Sequence, residues 1–195
     1  MASISLDPQS VRSYGAGAQE IFNLIRTELT SLVQDVVDVD YSGENAVQFK
    51  TDCGQLAADF ATALTTDMRA IAEAVRASTT NIAQALGGGP VIIEVDGGAV
   101  NVPAVPAGDG TYSADPAGLE GLKGTVKSRF GSVNEHFSTH LSRLTATAWT
   151  GNAKDQAVQA VTSFTNSAKG KVEEEAAALT SFIEKQLEAL RAADK

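Results

Sequence analysis

A chain of 195 residues with 24 acidic and 15 basic side chains carries a formal charge of −9, and its lysines and arginines are scattered rather than clustered. Such a surface repels phosphate backbones, so nucleic acid is not an expected partner. The apolar fraction is 43% but the aromatic fraction only 6%, and Ala, Leu and Val dominate it, which suits close-packed helices better than a sandwich of bulky strands. The lone cysteine, Cys53, excludes an internal disulfide. The first eight residues contain neither a basic stretch nor an apolar run, which predicts no cleaved signal peptide. No apolar segment approaches the ~20 residues that a membrane span needs. These features predict a soluble protein, either cytosolic or exported by a route that uses no cleaved leader.

In chain order, the first landmark is Asp7-Pro8, which recurs as Asp115-Pro116, 108 residues on. Tyr41-Ser42-Gly43 recurs as Trp149-Thr150-Gly151 at the same offset. Held without gaps, that register pairs Val11 with Leu119, Phe22 with Phe130, Val33 with Leu141, Cys53 with Val161 and Val75 with Ile183. Helical phase alone is a weak signal. Coincidence of an Asp-Pro start, an aromatic-x-Gly turn and the phase at one offset is a strong one.

Each copy reads as a helical hairpin. Positions 11, 14, 18, 22, 25, 29, 33 and 36 step by three and four and mark one apolar stripe. Asp7 is placed to cap a helix whose first residue is Pro8, with Leu6 stapled onto Val11. The first helix is predicted to run to about Val39, and its counterpart to about Thr147. Gly43 and Gly151 supply the backbone freedom a sharp reversal requires, and Ser42 and Thr150 are expected to cap the returning helices. The first returning helix carries its stripe from Phe49 to Ile82 and breaks at Gly87-Gly88-Gly89-Pro90.

The division is therefore a first hairpin over 1–86, a linker over 87–114 and a second hairpin over 115–195. A lone long hairpin leaves half its stripe wet, so the two copies are predicted to pair internally as an all-α, antiparallel four-helix bundle. Within the linker, residues 91–102 alternate around Asp96-Gly97. This pattern leaves open a short β-hairpin or a coil.

Trp149-Thr150-Gly151, placed between two long amphipathic helices, resembles the WXG family of small type VII (ESX) secretion proteins. The first copy carries the Tyr-for-Trp variant Tyr41-Ser42-Gly43. The resemblance covers nearly all of residues 7–86 and 115–195. It implies helical hairpins with Trp-x-Gly in the turn, antiparallel pairing, export without a cleaved signal peptide and a Gram-positive bacterial setting. It implies as partners the type VII machinery or a co-secreted protein, and as motif residues Tyr41, Ser42, Gly43, Trp149, Thr150 and Gly151. The family's Tyr-x-x-x-Asp/Glu export signal has no counterpart: four residues beyond Tyr14, Tyr41 and Tyr112 stand Ala18, Asn45 and Pro116.

Chemistry-bearing residues are few. His136 and His140 lie four apart beside Glu135, but two ligands rarely hold a metal and no His-Glu-x-x-His pattern is present. Cys53 falls on the packing stripe, as a small hydrophobe would. Lys171-Val172-Glu173-Glu174-Glu175 reads as a solvated face. The glycines at 87–89 lack the Lys-Ser/Thr of a phosphate loop, and no nucleophile motif appears. The expectation is a protein without catalytic site, cofactor or metal, acting through protein–protein contact. The rival reading is a cytosolic adaptor or chaperone for a secreted toxin or other helical substrate. Membrane activity is a third class that no sequence feature supports. Tyr41 and Trp149 have two readings, as a docking surface or as plugs that seal each turn against the neighbouring hairpin.

Overall fold

Both Asp-Pro pairs start helices as their chemistry dictates. The Gln9 amide donates to Asp7 Oδ1 at 2.9 Å, and the Ala117 amide to Asp115 Oδ1 at 2.9 Å. The prolines that follow have no N–H to leave unsatisfied. In the computed structural model, which describes residues 3–96, 99–106 and 110–194, these caps open helices α1 (Pro8–Asp38) and α3 (Pro116–Ala146). The returning helices are α2 (Glu44–Ala85) and α4 (Asn152–Ala193). The chain is an all-α, antiparallel four-helix bundle. Helix α2 ends where the glycines begin: Gly87 takes φ +83°, and the Gly88 amide donates to the Ala83 carbonyl at 2.7 Å. That left-handed glycine closes the helix and satisfies its last carbonyls.

The apolar stripes point inward as their spacing requires. Val11, Phe22, Ile25, Leu29, Val33 and Val36 of α1 are buried, as are Leu119, Val126, Phe130, Val133, Phe137 and Leu144 of α3. Helix α1 also buries Ile21 and Leu32, so its inward face is wider than the single row of residues read from the spacing.

Two compact units are built from these helices, and each takes one half of every helix. The first comprises Met1–Ile25, Ala63–Gly98 and Glu135–Lys169. Its core gathers Val11, Tyr14 and Ala18 of α1, Ala72 and Val75 of α2, Leu144 of α3, and Trp149 and Val161. The second comprises Arg26–Thr62, Ala99–Asn134 and Gly170–Lys195. It buries Leu29, Val33, Phe49, Phe60, Leu119, Phe130, Ile183 and Leu187, with Phe60 and Phe130 in edge contact at 6.3 Å. The hairpins are the repeat, whereas each compact unit draws on both hairpins.

Among the described residues, four two-residue strands join the copies. β1 (Ser5–Leu6) pairs antiparallel with β4 (Trp149–Thr150), and β2 (Tyr41–Ser42) with β3 (Ser113–Ala114). The two ladders are equivalent under the 108-residue register. Ser5 opposite Thr150 corresponds to Ser113 opposite Ser42, and Leu6 opposite Trp149 to Ala114 opposite Tyr41.

Linker residues 91–96 and 99–106 form no helix or strand. Of the turn in the β-hairpin alternative, Asp96-Gly97, the glycine lies outside the described residues. The alternation serves packing on helices. Val91 and Ile93 are buried, while the alternate residues Ile92 and Glu94 are exposed. Val91 exchanges hydrogen bonds with the Thr80 hydroxyl, and the Asp96 amide and carbonyl both engage the Gln19 side chain. The backbone groups of Val91 and Asp96 are thus spent on the helices. Gly15 admits this segment: a Cβ there would stand 2.8 Å from Ile93 Cγ2. Gly15→Leu is therefore expected to eject Ile93, lowering stability by about 1–3 kcal/mol in urea unfolding and speeding proteolysis within residues 91–96.

Candidate interaction site at the aromatic-glycine turns

A helical hairpin with a short turn leaves the last carbonyls of its first helix without intrahelical donors. At the first turn, the Lys50 ammonium donates to the carbonyls of Val37 and Val39, at 2.7 and 2.9 Å. The Asp40 carbonyl accepts from the Asp115 amide at 2.8 Å. At the second turn, Lys154 donates to the carbonyls of Thr145 and Thr147, at 2.9 and 2.8 Å, and the Ala148 carbonyl accepts from the Asp7 amide at 2.9 Å. The carbonyls are equivalent under the repeat, but the lysines are not. Lys154 corresponds to Ala46 and Lys50 to Val158, so the two lysines sit one helical turn apart in their respective copies. Burial lowers the Lys50 pKa below its ordinary value, opposed by Asp38 and Asp40.

Gly43 and Gly151 hold φ +116° and +113°, a region that L side chains avoid. Their carbonyls start the returning helices, accepting from Val47 and from Lys154 and Asp155. The expected caps, Ser42 and Thr150, do not serve there. Ser42 Oγ accepts from the Ser113 amide and contacts Ser113 Oγ at 3.0 Å. Thr150 Oγ1 accepts from the Ser5 amide and contacts Ser5 Oγ at 2.8 Å. Pairing across the hairpins has claimed both hydroxyls, and glycine occupies the cap positions instead.

The turn aromatics are interior. Trp149 is 1% exposed and Tyr41 8%, so each ring seals its turn. Neither presents a free aromatic face. Tyr41 Oη donates to Gln186 Oε1 at 2.7 Å, and its ring leans on Phe49, which stacks on Phe182 at 5.2 Å. At the second turn, the residues equivalent in the repeat to Phe49 and Phe182 are Ala157 and Ala74. The Trp149 indole N–H has no hydrogen-bond partner among the described residues, and Ser78 stands where the first turn has Gln186. The accessible surface near the first turn is formed by its backbone, Glu44 and Asn45, with Tyr112, 77% exposed, lying over Gly43.

The remaining candidates are structural in their surroundings. Cys53 is buried, and that burial pushes its thiol up to about 12, with Asp52 adding to the shift. His140 is 2% exposed and shares a 3.0 Å hydrogen bond with the Tyr14 hydroxyl. It is therefore turned into the core rather than paired with His136 as a ligand. Burial, and then the nearby Arg143, lowers the His140 pKa to about 4. The equivalent pair in the other unit is Leu32 and Leu122, both buried. No group of three or more potential metal ligands occurs among the described residues, and no described helix is long and apolar enough to cross a membrane. Lys171, Glu173 and Glu174 are exposed while Val172 is buried, as on a solvated helix face.

Sequence reasoning missed Ser5, Leu6, Ser113 and Ala114 as partners of the turns, and Lys50, Lys154 and Gln186 as their supports. One signal was available: Ser5 and Ser113 keep the 108-residue register. No protein-family model matches the chain, and no curated protein or solved structure matches it at a significant level.

Two measurements follow from this geometry. Trp149→Ala should cost ~3–5 kcal/mol as the truncation of a fully buried ring, read as a lower melting temperature; an unchanged value would show that the ring contributes no packing. His140 binds a proton more readily unfolded than folded, so its contribution is complete above pH ~6.5. It is lost as pH falls toward 4, amounting to roughly 3 kcal/mol. The double substitution Tyr14→Leu/His140→Leu should flatten urea-unfolding stability between pH 6.5 and 4. An unaltered pH profile would exclude His140 as its source.

Proposed function

We propose that this chain is a non-enzymatic substrate or accessory protein of a type VII (ESX-like) secretion system, a tandem WXG-type pseudo-dimer in one polypeptide. The observation that carries the reading is the placement of Trp149-Thr150-Gly151. It forms the turn of a long helical hairpin and is packed against a second hairpin of the same design. Covalent fusion fixes one-to-one pairing and raises the effective concentration of each hairpin for the other to the millimolar range. A separate hairpin partner is then unnecessary for folding. Docking onto secretion machinery or a co-secreted protein would use the helical surfaces and the polar backbone of the turns, because Tyr41 and Trp149 are buried.

The acidic surface argues against nucleic acid as a partner. Cys53 and His140, two side chains suited to nucleophilic or metal chemistry, are buried in packing, which supports a binding role over a catalytic one.

A cytosolic adaptor or chaperone for a secreted toxin or other helical substrate is the second reading, favoured by the missing Tyr-x-x-x-Asp/Glu signal. Comparing culture filtrate with lysate, with and without the secretion ATPase, separates the two. ATPase-dependent appearance in the filtrate is expected. Retention in the cells under both conditions would overturn export, and recovery of a stoichiometric cytosolic partner would then establish the adaptor.

A further inference from the structure

The first unit carries a groove of about 380 Å³ between the second half of α2 and the first half of α4. Its walls are Ala70, Ile71 and Ala74 on one side and Ala153, Ala157 and Ala160 on the other. The groove continues the interface between the hairpins. Ile71, Ala153 and Ala157 are partly buried against the core cluster that contains Val75, Trp149 and Val161.

The repeat shows what such a groove accepts. In the second unit, the positions equivalent to Ala74 and Ala157 are Phe182 and Phe49, stacked at 5.2 Å with an interplanar angle of 9°. One copy of the α2–α4 contact is thus filled by two rings of the chain itself, and the other has alanine at both places. Neither groove-lining alanine can supply the area a ring buries, on the order of 150–250 Å². Alanine on both walls also lets a visiting backbone approach closely.

We infer that this alanine-walled groove is a docking site for an amphipathic helix of a partner protein, which inserts a phenylalanine-like side chain where the other unit keeps its own aromatic pair. The partner's aromatic ring would complete the same aromatic layer from outside the chain. This reading does not depend on export, since an adaptor and a secreted substrate would use the groove alike.

The test uses the full-length, ¹⁵N-labelled chain and two synthetic 18-residue amphipathic helical peptides, identical except for a central Phe or Ala. In NMR titrations the Phe peptide should shift amides within 70–78 and 153–160, and bind at least tenfold more tightly than the Ala peptide. Ala74→Phe/Ala157→Phe, which copies the other unit's packing, should fold with an equal or higher melting temperature and lose that binding. If this variant does not fold, Ala70→Glu, at an exposed position on the rim, should weaken binding at least tenfold with the fold intact. Absence of binding, equal affinity of the two peptides, shifts elsewhere, or undiminished binding by the folded variants would each overturn the proposal. So would toluene binding as tightly as the Phe peptide, which would make the groove a small-molecule site.

Discussion

Hydrogen bonding of the backbone at a tight reversal is the constraint from which the architecture follows. Where α1 and α3 end, a run of carbonyls points away from the helix with no donor from its own ladder. Leaving such groups buried and unpaired costs about 1–3 kcal/mol each. A lysine from the returning helix takes two of these carbonyls at each turn, and the amide of the other copy's Asp7 or Asp115 takes a third. The Asp whose side chain caps one hairpin's first helix therefore uses its backbone to close the other hairpin's turn. Start and turn are coupled across the copies, and the short ladders at Ser5–Leu6 and Ser113–Ala114 extend that coupling.

This coupling gives the aromatic its place. Once the strand before Asp-Pro lies beside the turn, the ring at 41 or 149 points into the bundle and is covered. The two copies then diverge in how they fill the space around it. The first turn uses a tyrosine whose hydroxyl reaches Gln186, backed by two phenylalanines. The second uses a larger indole, with alanine at both positions equivalent to those phenylalanines. The same trade between polar and apolar solutions occurs at the Tyr14–His140 pair, which the other copy renders as two leucines. Ion pairs from α3 to α1 add orientation more than stability, since Arg129 with Glu28 and Asp35, and Arg143 with Glu20, remain partly solvated.

Helical periodicity is written locally, so the inward stripes, the Asp-Pro starts and the glycine turns were legible in the sequence. What was not legible depends on residues far apart in the chain. A two-residue strand such as Ser113–Ala114 is too short to show alternation. Ser42 and Thr150 satisfy the rules for a helix cap, and only the nearby Ser113 and Ser5 divert them. The Val91–Val95 alternation is a true period of two, but the surface it fits is a pair of helices rather than another strand. The lysine caps escaped the repeat register because an ammonium on a long stem reaches the same carbonyls from either of two successive turns. The alanine-walled groove becomes visible only when Ala74 and Ala157 are set against Phe182 and Phe49.

The composition of the two units bears on how the chain is made. Ser5 bonds to Thr150 across 145 residues of sequence, and neither unit is a continuous stretch of polypeptide. During synthesis the first hairpin leaves the ribosome with its stripe uncovered and the carbonyl of Asp40 still waiting for Asp115. Its own N-terminal strand waits longer, until Trp149 and Thr150 have been added. Closing such distant contacts is slow relative to forming the helices themselves. The nascent hairpin therefore passes through an interval in which it is helical, apolar on one side and open to any other helix that meets it.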